Sequence, residues 1–301
     1  MKPHYLTAYQ TGILKERAEA LTHGLKDCTL CPRNCHADRL SGDTGTCRTG
    51  ELAMVSSYMP HFGEESPISG TRGSGTIFFT HCNLGCSFCQ NFDISHEGRG
   101  QAVSSRELAD MMLTLQAIGC HNINFVTPSH VVPQILQALL PAVEDGLCIP
   151  LVFNSGGYDR VSTLQMLEGI VDIYMPDFKF WDEGPARETC QAPDYPEIAR
   201  KAVREMHRQV GDLQADVDGI AERGLLVRHL VMPEGMAGTG MIMKFLAGEI
   251  SLDTYVNIMP QYRPCGYARG DPRLGRPPST LEFSSALRDA REAGLKRLDR
   301  R

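Results

Sequence analysis

The chain predicts an α/β fold: a partial (β/α)6, TIM-like barrel preceded by a small cysteine-rich metal module at the N-terminus. Three observations carry that expectation. From Gly75 onward, short apolar runs alternate with segments of helical period, the pattern of βα units in a parallel sheet with right-handed crossovers. At 301 residues and 42% hydrophobic content, the chain can bury one sizeable core, and barrels reach this length as single units. Eleven cysteines are present, and most fall in two metal-like spacings rather than a paired disulfide framework.

Taken in order, residues 7–26 place Ile13, Leu14, Ala18, Leu21 and Leu25 at near-helical intervals, which predicts a short helix. Cys28-Thr-Leu-Cys31-Pro-Arg-Asn-Cys35 follows, with Cys47 after eleven further residues. The spacing C-x2-C-x3-C-x11-C delivers four thiolates from two loops. A structural zinc or a second, closed iron–sulfur cluster would each be satisfied by that set. Two disulfides are the plainer alternative, and they suit a reducing compartment less well. Metal binding would fold a segment too short to build its own core. Residues 50–75 read as extended chain or loop, with Glu64 and Glu65 either substrate groups or, as is commoner for adjacent acids on a loop, solvated.

Strands are predicted at 76–80, 122–126, 149–153, 171–176, 225–231 and 254–258, with helices at 104–118, 130–144, 159–168, 194–222 and 238–248. Ser104 to Glu107 and Ser129-His130 offer N-caps, and Gly119, Gly146, Gly169 and Gly224 are placed to stop helices. A last helix starts at Ser279, where Ser279-Thr-Leu-Glu282 forms a capping box; Lys296, Arg297, Arg300 and Arg301 suit its C-terminus. The expected division is 1–70 for the N-terminal helix and cysteine module, 71–262 for the barrel, and 263–301 for a closing loop and helix.

Directly after the first barrel strand comes Cys82-Asn83-Leu84-Gly85-Cys86-Ser87-Phe88-Cys89. Three thiolates on one tight loop can each take an iron of a [4Fe-4S] cube, which leaves the fourth iron open to a ligand that is not protein. A closed zinc site needs four ligands, and only His81 and His96 stand near enough in sequence to supply a fourth. The C-x3-C-x2-C spacing, with Phe88 before the last cysteine, resembles the signature of radical S-adenosylmethionine enzymes. The longer run through Gln90-Asn91 resembles the pyruvate formate-lyase activating enzyme-like branch. The resemblance implies a radical SAM barrel, a [4Fe-4S] cluster on Cys82, Cys86 and Cys89, and S-adenosylmethionine bound at the open iron. Reductive cleavage would then release a 5′-deoxyadenosyl radical. His81 stands where that family usually has glycine and is expected to tune the cluster from beside it; Gly85 stands where a basic residue is common.

In a barrel enzyme the active site gathers at the C-terminal ends of the strands. Thr127-Pro128-Ser129-His130 occupies the place of the family's Gly-Gly-Glu segment. Asn154-Ser155 resembles the family's acid–hydroxyl pair without its charge, and Gly156-Gly157 lets a ligand approach the backbone. Period-two spacing puts Asp177 and Lys179 on one face, matching the family's Asp-x-Lys. Arg228 and His229 point to opposite faces; the resemblance makes Arg228 the inward one, reaching Asp177 or the cofactor carboxylate, and His229 a packing residue. Gln261 and Tyr262 are rim residues within reach of a substrate. Cys120, Cys148, Cys190 and Cys265 are expected to be packing thiols.

The formal charge of −6 supplies no basic field for nucleic acid, and no apolar run is long enough for a membrane helix. The first residues carry no signal-peptide core, and the cysteine usage fits a reducing cytoplasm. The resemblance implies a one-electron reductant such as flavodoxin or ferredoxin, and a glycyl radical enzyme or other protein as substrate. Two alternatives stand beside it: a small molecule or cofactor precursor as substrate, or a non-catalytic iron–sulfur or zinc scaffold.

Overall fold

The computed structural model describes residues 2–299. The N-terminal helix is two: α1 (Tyr5–Gln10) and α2 (Ile13–His23), broken at Gly12, whose φ of +81° no helix accommodates. Leu14, Ala18 and Leu21 are buried, as their spacing requires. The stretch read as extended or loop contains a nine-residue strand, β1 (Ala53–His61), and one helical turn, α3 (Ser66–Ser69). The barrel chain follows with β2 (Ser74–Phe79), α4 (Phe92–Ser95), β3 (Gln101–Val103), α5 (Ser105–Ile118), β4 (Ile123–Val126) and α6 (Val132–Glu144). Next come β5 (Leu151–Ser155), α7 (Val161–Gln165), β6 (Ile173–Pro176), α8 (Glu183–Cys190), α9 (Tyr195–Val210), β7 (Gln214–Ala215) and β8 (Ala221–Leu230). The chain closes with α10 (Thr239–Phe245), β9 (Tyr255–Met259), α11 (Thr280–Glu292) and β10 (Arg297–Leu298).

One ten-stranded sheet runs in the order β10-β9-β8-β6-β5-β4-β2-β1-β3, with β7 paired to β8. The neighbours from β2 to β10 along this path are parallel, whereas β1 pairs antiparallel with β2 and β3 antiparallel with β1. The mixed α/β fold and its parallel, TIM-like sheet are therefore as expected. Alternation along the strands makes two apolar layers. Phe153, Tyr174, Leu225 and Val227 belong to the large layer shared with the helices. Val152, Ile173, Met175 and Leu226 belong to a small one that also takes in Ile68 of α3. Ile68 is fully buried, so α3 plugs the sheet's second face and carries Glu64 and Glu65 inward with it.

Several local expectations are corrected. Helix 194–222 stops at Val210: Gly211 sits at φ +70°, and the Asp216 carboxylate accepts the N–H groups of Asp218 and Ile220 at 2.9 Å each in a hairpin turn. Gly224 stops no helix; it lies inside β8 at φ +120°, where a Cβ would stand 2.4 Å from Leu213 Cα. The α8 helix was not foreseen. Ser104 and Ser279 do close capping boxes. Ser129 and His130 do not cap α6, whose N-cap is Val131: Ser129 hydrogen-bonds Asp159, and the His130 ring bonds Thr80 O at 3.0 Å. Lys296 and Arg297 lie beyond the end of α11, Arg297 in β10; Arg300 and Arg301 fall outside the described residues. No described helix is long and apolar enough to cross a membrane.

Candidate active site at the strand ends

A cavity of about 390 Å³ opens at the C-terminal ends of the parallel strands. Cys82, Cys86 and Cys89 line it together with Asn154, Ser155, Asp177, Lys179 and Arg228. The loop that carries the three thiols owes its shape to two positive φ angles, +61° at His81 and +63° at Gly85. The first explains how glycine would suit position 81. Leu84 N–H donates to Cys82 Sγ at 3.3 Å, Ser87 N–H to Thr189 O at 2.7 Å, and Cys89 N–H to Cys86 O at 3.1 Å. Phe88 is buried and meets the rings of Phe180 and Tyr262 edge-on. Tyr262 is thus not a rim residue: it is 1% exposed, and its hydroxyl donates to Leu274 O at 2.8 Å. Gln261 does line the cavity.

Burial pushes the Cys82 thiol up to about 12, with Cys86 adding to the effect, and burial likewise raises Cys89. Cys86 is raised first by its contact with Cys190, whose Sγ lies 3.3 Å away, and then by burial. Cys190 is therefore no ordinary packing thiol. Thiolates in such surroundings need a cation, and a metal supplies one while displacing the protons. Among the described residues, no three His, Cys, Asp or Glu side chains are already gathered as a metal-binding group. The donor set still fits a [4Fe-4S] cluster with one open corner: three mutually interacting thiols on one cavity wall, with backbone N–H groups turned toward sulfur. In the N-terminal segment all four cysteines are unpaired; Cys31 feels Cys47 and Cys35, and Cys47 feels Cys28. Arg39, 1% exposed, donates to Gly50 O and His130 O and stands 3.8 Å from Cys28 Sγ. None of these partners is a carboxylate, so thiolates would complement its charge.

The same cavity holds an ion network beside the cysteine loop. Arg228 donates from Nε to Asp177 Oδ1 at 2.9 Å, from Nη1 to Glu64 Oε2 at 3.3 Å and from Nη2 to Asn154 Oδ1 at 2.6 Å. Lys179 Nζ donates to Asp177 Oδ2 at 2.6 Å. Burial works against the Asp177 carboxylate, but Arg228 and Lys179 outweigh it and hold the group below its usual range. For Lys179 and Arg228, burial opposes the cation, and Asp177 reverses this together with Cys86 for the lysine and with Glu65 and Glu64 for the arginine. His229 on the other face bonds Phe178 O at 2.7 Å and Thr239 Oγ1 at 2.8 Å, as a packing histidine should. Ser155 spends its hydroxyl on Asp159 at 2.5 Å.

The expectation of two solvated glutamates fails. Glu64 is 7% and Glu65 3% exposed. Glu64 Oε1 accepts from Asn124 at 3.2 Å and stands 3.6 Å from His61 Nδ1; Glu65 accepts from Asn257 at 2.7 Å. Burial opposes ionisation of both; His61 and Arg228 reverse this for Glu64, which is lowered, but not for Glu65, which is raised. His61, at the end of β1, and Glu64, in the turn that follows, line the cavity, a contribution invisible without the β1–β2 pairing.

No family model matches this chain. An uncharacterized protein of Methanocaldococcus jannaschii is 29% identical over 291 residues, covering 94% of this chain and 80% of that protein. Among solved structures, a radical SAM methyltransferase from Sphaerobacter thermophilus aligns with a TM-score of 0.51 at 14% identity, over 75% of this chain and 66% of that one. Methylornithine synthase aligns with a TM-score of 0.49 at 17% identity, over 73% and 62%. The chain thus spans just under two thirds of these solved chains. At this identity the likeness to the methyltransferase is one of fold.

Proposed function

We propose that this chain is a radical S-adenosylmethionine enzyme. The observation that carries the reading is that the Cys82, Cys86 and Cys89 thiols line the same strand-end cavity as the Asp177–Lys179–Arg228–Asn154 network. The cluster, when bound, supplies one electron that splits the S–C5′ bond of S-adenosylmethionine into methionine and a 5′-deoxyadenosyl radical. The chain's own residues prepare the place. Cys82, Cys86 and Cys89 would hold the cluster through three thiolates. Lys179, with one of its three N–H donors on Asp177, has two more to offer the methionine carboxylate. Arg228 fixes Asp177 and Asn154 rather than reaching outward, since its guanidinium is engaged on protein acceptors. Gly156 keeps the backbone close to the ligand, and the buried apolar wall around Leu84 and Phe79 excludes water.

In the finer reading, the radical is passed to a partner protein, as in glycyl radical activation, with a flavodoxin- or ferredoxin-type donor as reductant in the cytoplasm. The Cys82–Asn91 motif supports this. His61, which joins the network through Glu64 at 3.6 Å and lines the cavity, favours a second reading, a small polar molecule as substrate. Cys28, Cys31, Cys35 and Cys47 would hold zinc or a second iron–sulfur cluster. The test is anaerobic reconstitution, reduction with dithionite, and measurement of 5′-deoxyadenosine, with iron and zinc counted. The wild type should yield it and Cys86→Ala should not; a wild type that binds iron and yields none sinks the enzyme reading. A glycine-centred doublet in the electron paramagnetic resonance spectrum of a co-purifying partner would select the activase reading.

A further inference from the structure

Arg33 lies between Cys31 and Cys35, yet its side chain leaves the four-cysteine segment and ends on the catalytic loop. Its Nε donates to Asn83 O at 2.8 Å and its Nη2 to Leu84 O at 3.1 Å, the two carbonyls that follow Cys82. The same guanidinium reaches the end of α8, with Nη2 on Cys190 O at 2.7 Å and Nη1 on Gln191 O at 2.6 Å. Its carbon lies 5.3 Å from the Tyr158 ring centroid. These four acceptors are all backbone carbonyls, so the cation's charge is not cancelled by them and remains beside the loop.

A second link runs through Asn83, which is 2% exposed. Its amide donates to Tyr158 O at 2.8 Å, its oxygen lies 3.9 Å from Cys82 Sγ, and its side chain hydrogen-bonds the Cys31 thiol. One residue therefore touches a cysteine of each set. The barrel holds the other side of this turn: Arg160 donates to Thr29 O at 2.6 Å and to Asn34 Oδ1 at 3.0 Å, and Thr163 donates to Leu30 O at 2.7 Å.

We propose that Arg33 is a positioning residue through which the occupancy of the four-cysteine site sets the reduction potential of the cluster on Cys82, Cys86 and Cys89. Metal held by Cys31 and Cys35 fixes the turn between them and so fixes the guanidinium against Asn83 and Leu84. A fixed positive charge beside the loop favours the reduced, more negative cluster, because charge and hydrogen bonding around the sulfurs tune such potentials. The inference rests on the radical reading for its cluster, but the brace itself can be read without it.

The experiment uses the full chain reconstituted anaerobically with ferrous iron and sulfide, as wild type, Arg33→Ala, Arg33→Lys, Cys28→Ser/Cys35→Ser, and the combination of the last pair with Arg33→Ala. The midpoint potential of the Cys82/Cys86/Cys89 cluster is titrated by electron paramagnetic resonance. Arg33→Ala and Cys28→Ser/Cys35→Ser should each move it to more negative values. Arg33→Lys should recover part of the shift, and the combination should go no further than the larger single effect, the mark of one shared pathway. An unmoved potential in Arg33→Ala overturns the proposal. Additive shifts, or an unmoved potential in Cys28→Ser/Cys35→Ser, overturn the link between the sites. Should the wild type assemble no cluster on the loop, the radical reading falls. Hydrogen exchange of the Leu84, Ser87 and Cys89 amides then decides the brace: faster exchange in both sets of variants supports it, and unchanged exchange ends it.

Discussion

Asp177 and Arg228 meet twice, once through their backbones and once through their side chains. Their residues form a parallel bridge between the ends of β6 and β8, with Phe178 N–H donating to Arg228 O at 2.7 Å. The side chains then close the same gap at 2.9 Å, with Lys179 on the second carboxylate oxygen. Two cations share one acid, and Glu64 supplies the other negative charge. The register of β6 and β8 therefore brings Asp177 and Arg228 together, and the turn between β1 and α3 adds the acid that balances the charge.

Removing the acid should be costly. Asp177→Asn leaves Lys179 and part of Arg228 uncompensated in a buried site, and a loss of about 3–5 kcal/mol is expected in denaturant unfolding. Asp177 has its folded value depressed, so its contribution is present above the unfolded carboxylate value of about 3.9 and is lost as pH falls through the lower folded one. Asp177→Asn should accordingly lose its deficit in acid. An equal deficit at pH 7 and at the acid limit would argue against ionic stabilisation.

Asp172 should behave in the opposite sense. Burial lifts its carboxyl to about 6, although His4 N–H at 2.9 Å and Leu151 N–H at 3.0 Å both favour the anion. The folded chain therefore holds the proton more tightly than the unfolded one, and stability falls as pH rises from the unfolded value toward 6. Relative to Asp172→Asn, the wild type should lose about 1 kcal/mol between pH 5 and pH 7. Parallel pH–stability curves would refute this.

Two glycines with similar backbone angles should tolerate alanine very differently. Gly157, at φ +75°, would place a Cβ 2.2 Å from Asp177 O, against fixed backbone. Gly85, at φ +63°, has open space in that direction. Gly85→Ala should cost only the left-handed backbone penalty of about 1–2 kcal/mol. Gly157→Ala should cost more than that and disturb Asp177 and Lys179 with it. Thermal or denaturant melts of the two variants compare the costs directly.

The Cys86–Cys190 contact predicts a chemical outcome in the metal-free chain. Treated with a disulfide oxidant such as oxidised glutathione, the two thiols should lose two protons and two electrons to it and bridge, since their sulfurs already lie 3.3 Å apart. Peptide mapping by mass spectrometry should find Cys86 joined to Cys190, and Cys190→Ser should remove that species. Bridging of Cys86 to Cys82 or Cys89 instead would contradict the arrangement.

What could be read beforehand was whatever depends on local period. Asp177 and Lys179 share a face because strands repeat every two residues, and Ser104 and Ser279 announce their caps within three positions. The inward choice of Arg228 over His229 needed a resemblance to settle it. Glu64 and Glu65 were misread because their burial is caused by Ile68, a residue on a one-turn helix too short to leave a periodic signal. Arg33 and Cys190 escaped for a related reason: their partners lie about 50 and 104 residues away, across contacts that only the assembled barrel creates.

A sheet that curls without closing keeps two raw margins, each a row of backbone groups on which a stranger's chain could nucleate. Here those margins are hemmed by Gln101–Val103 at one side and Arg297–Leu298 at the other, stubs of three and two residues. Each covers only part of its neighbour, Ala53–Val55 of β1 and Tyr255–Val256 of β9, so residues 57–61 and 257–259 have no described strand on that side. The opening that admits a ligand thus leaves part of each margin as a place where an added strand could pair.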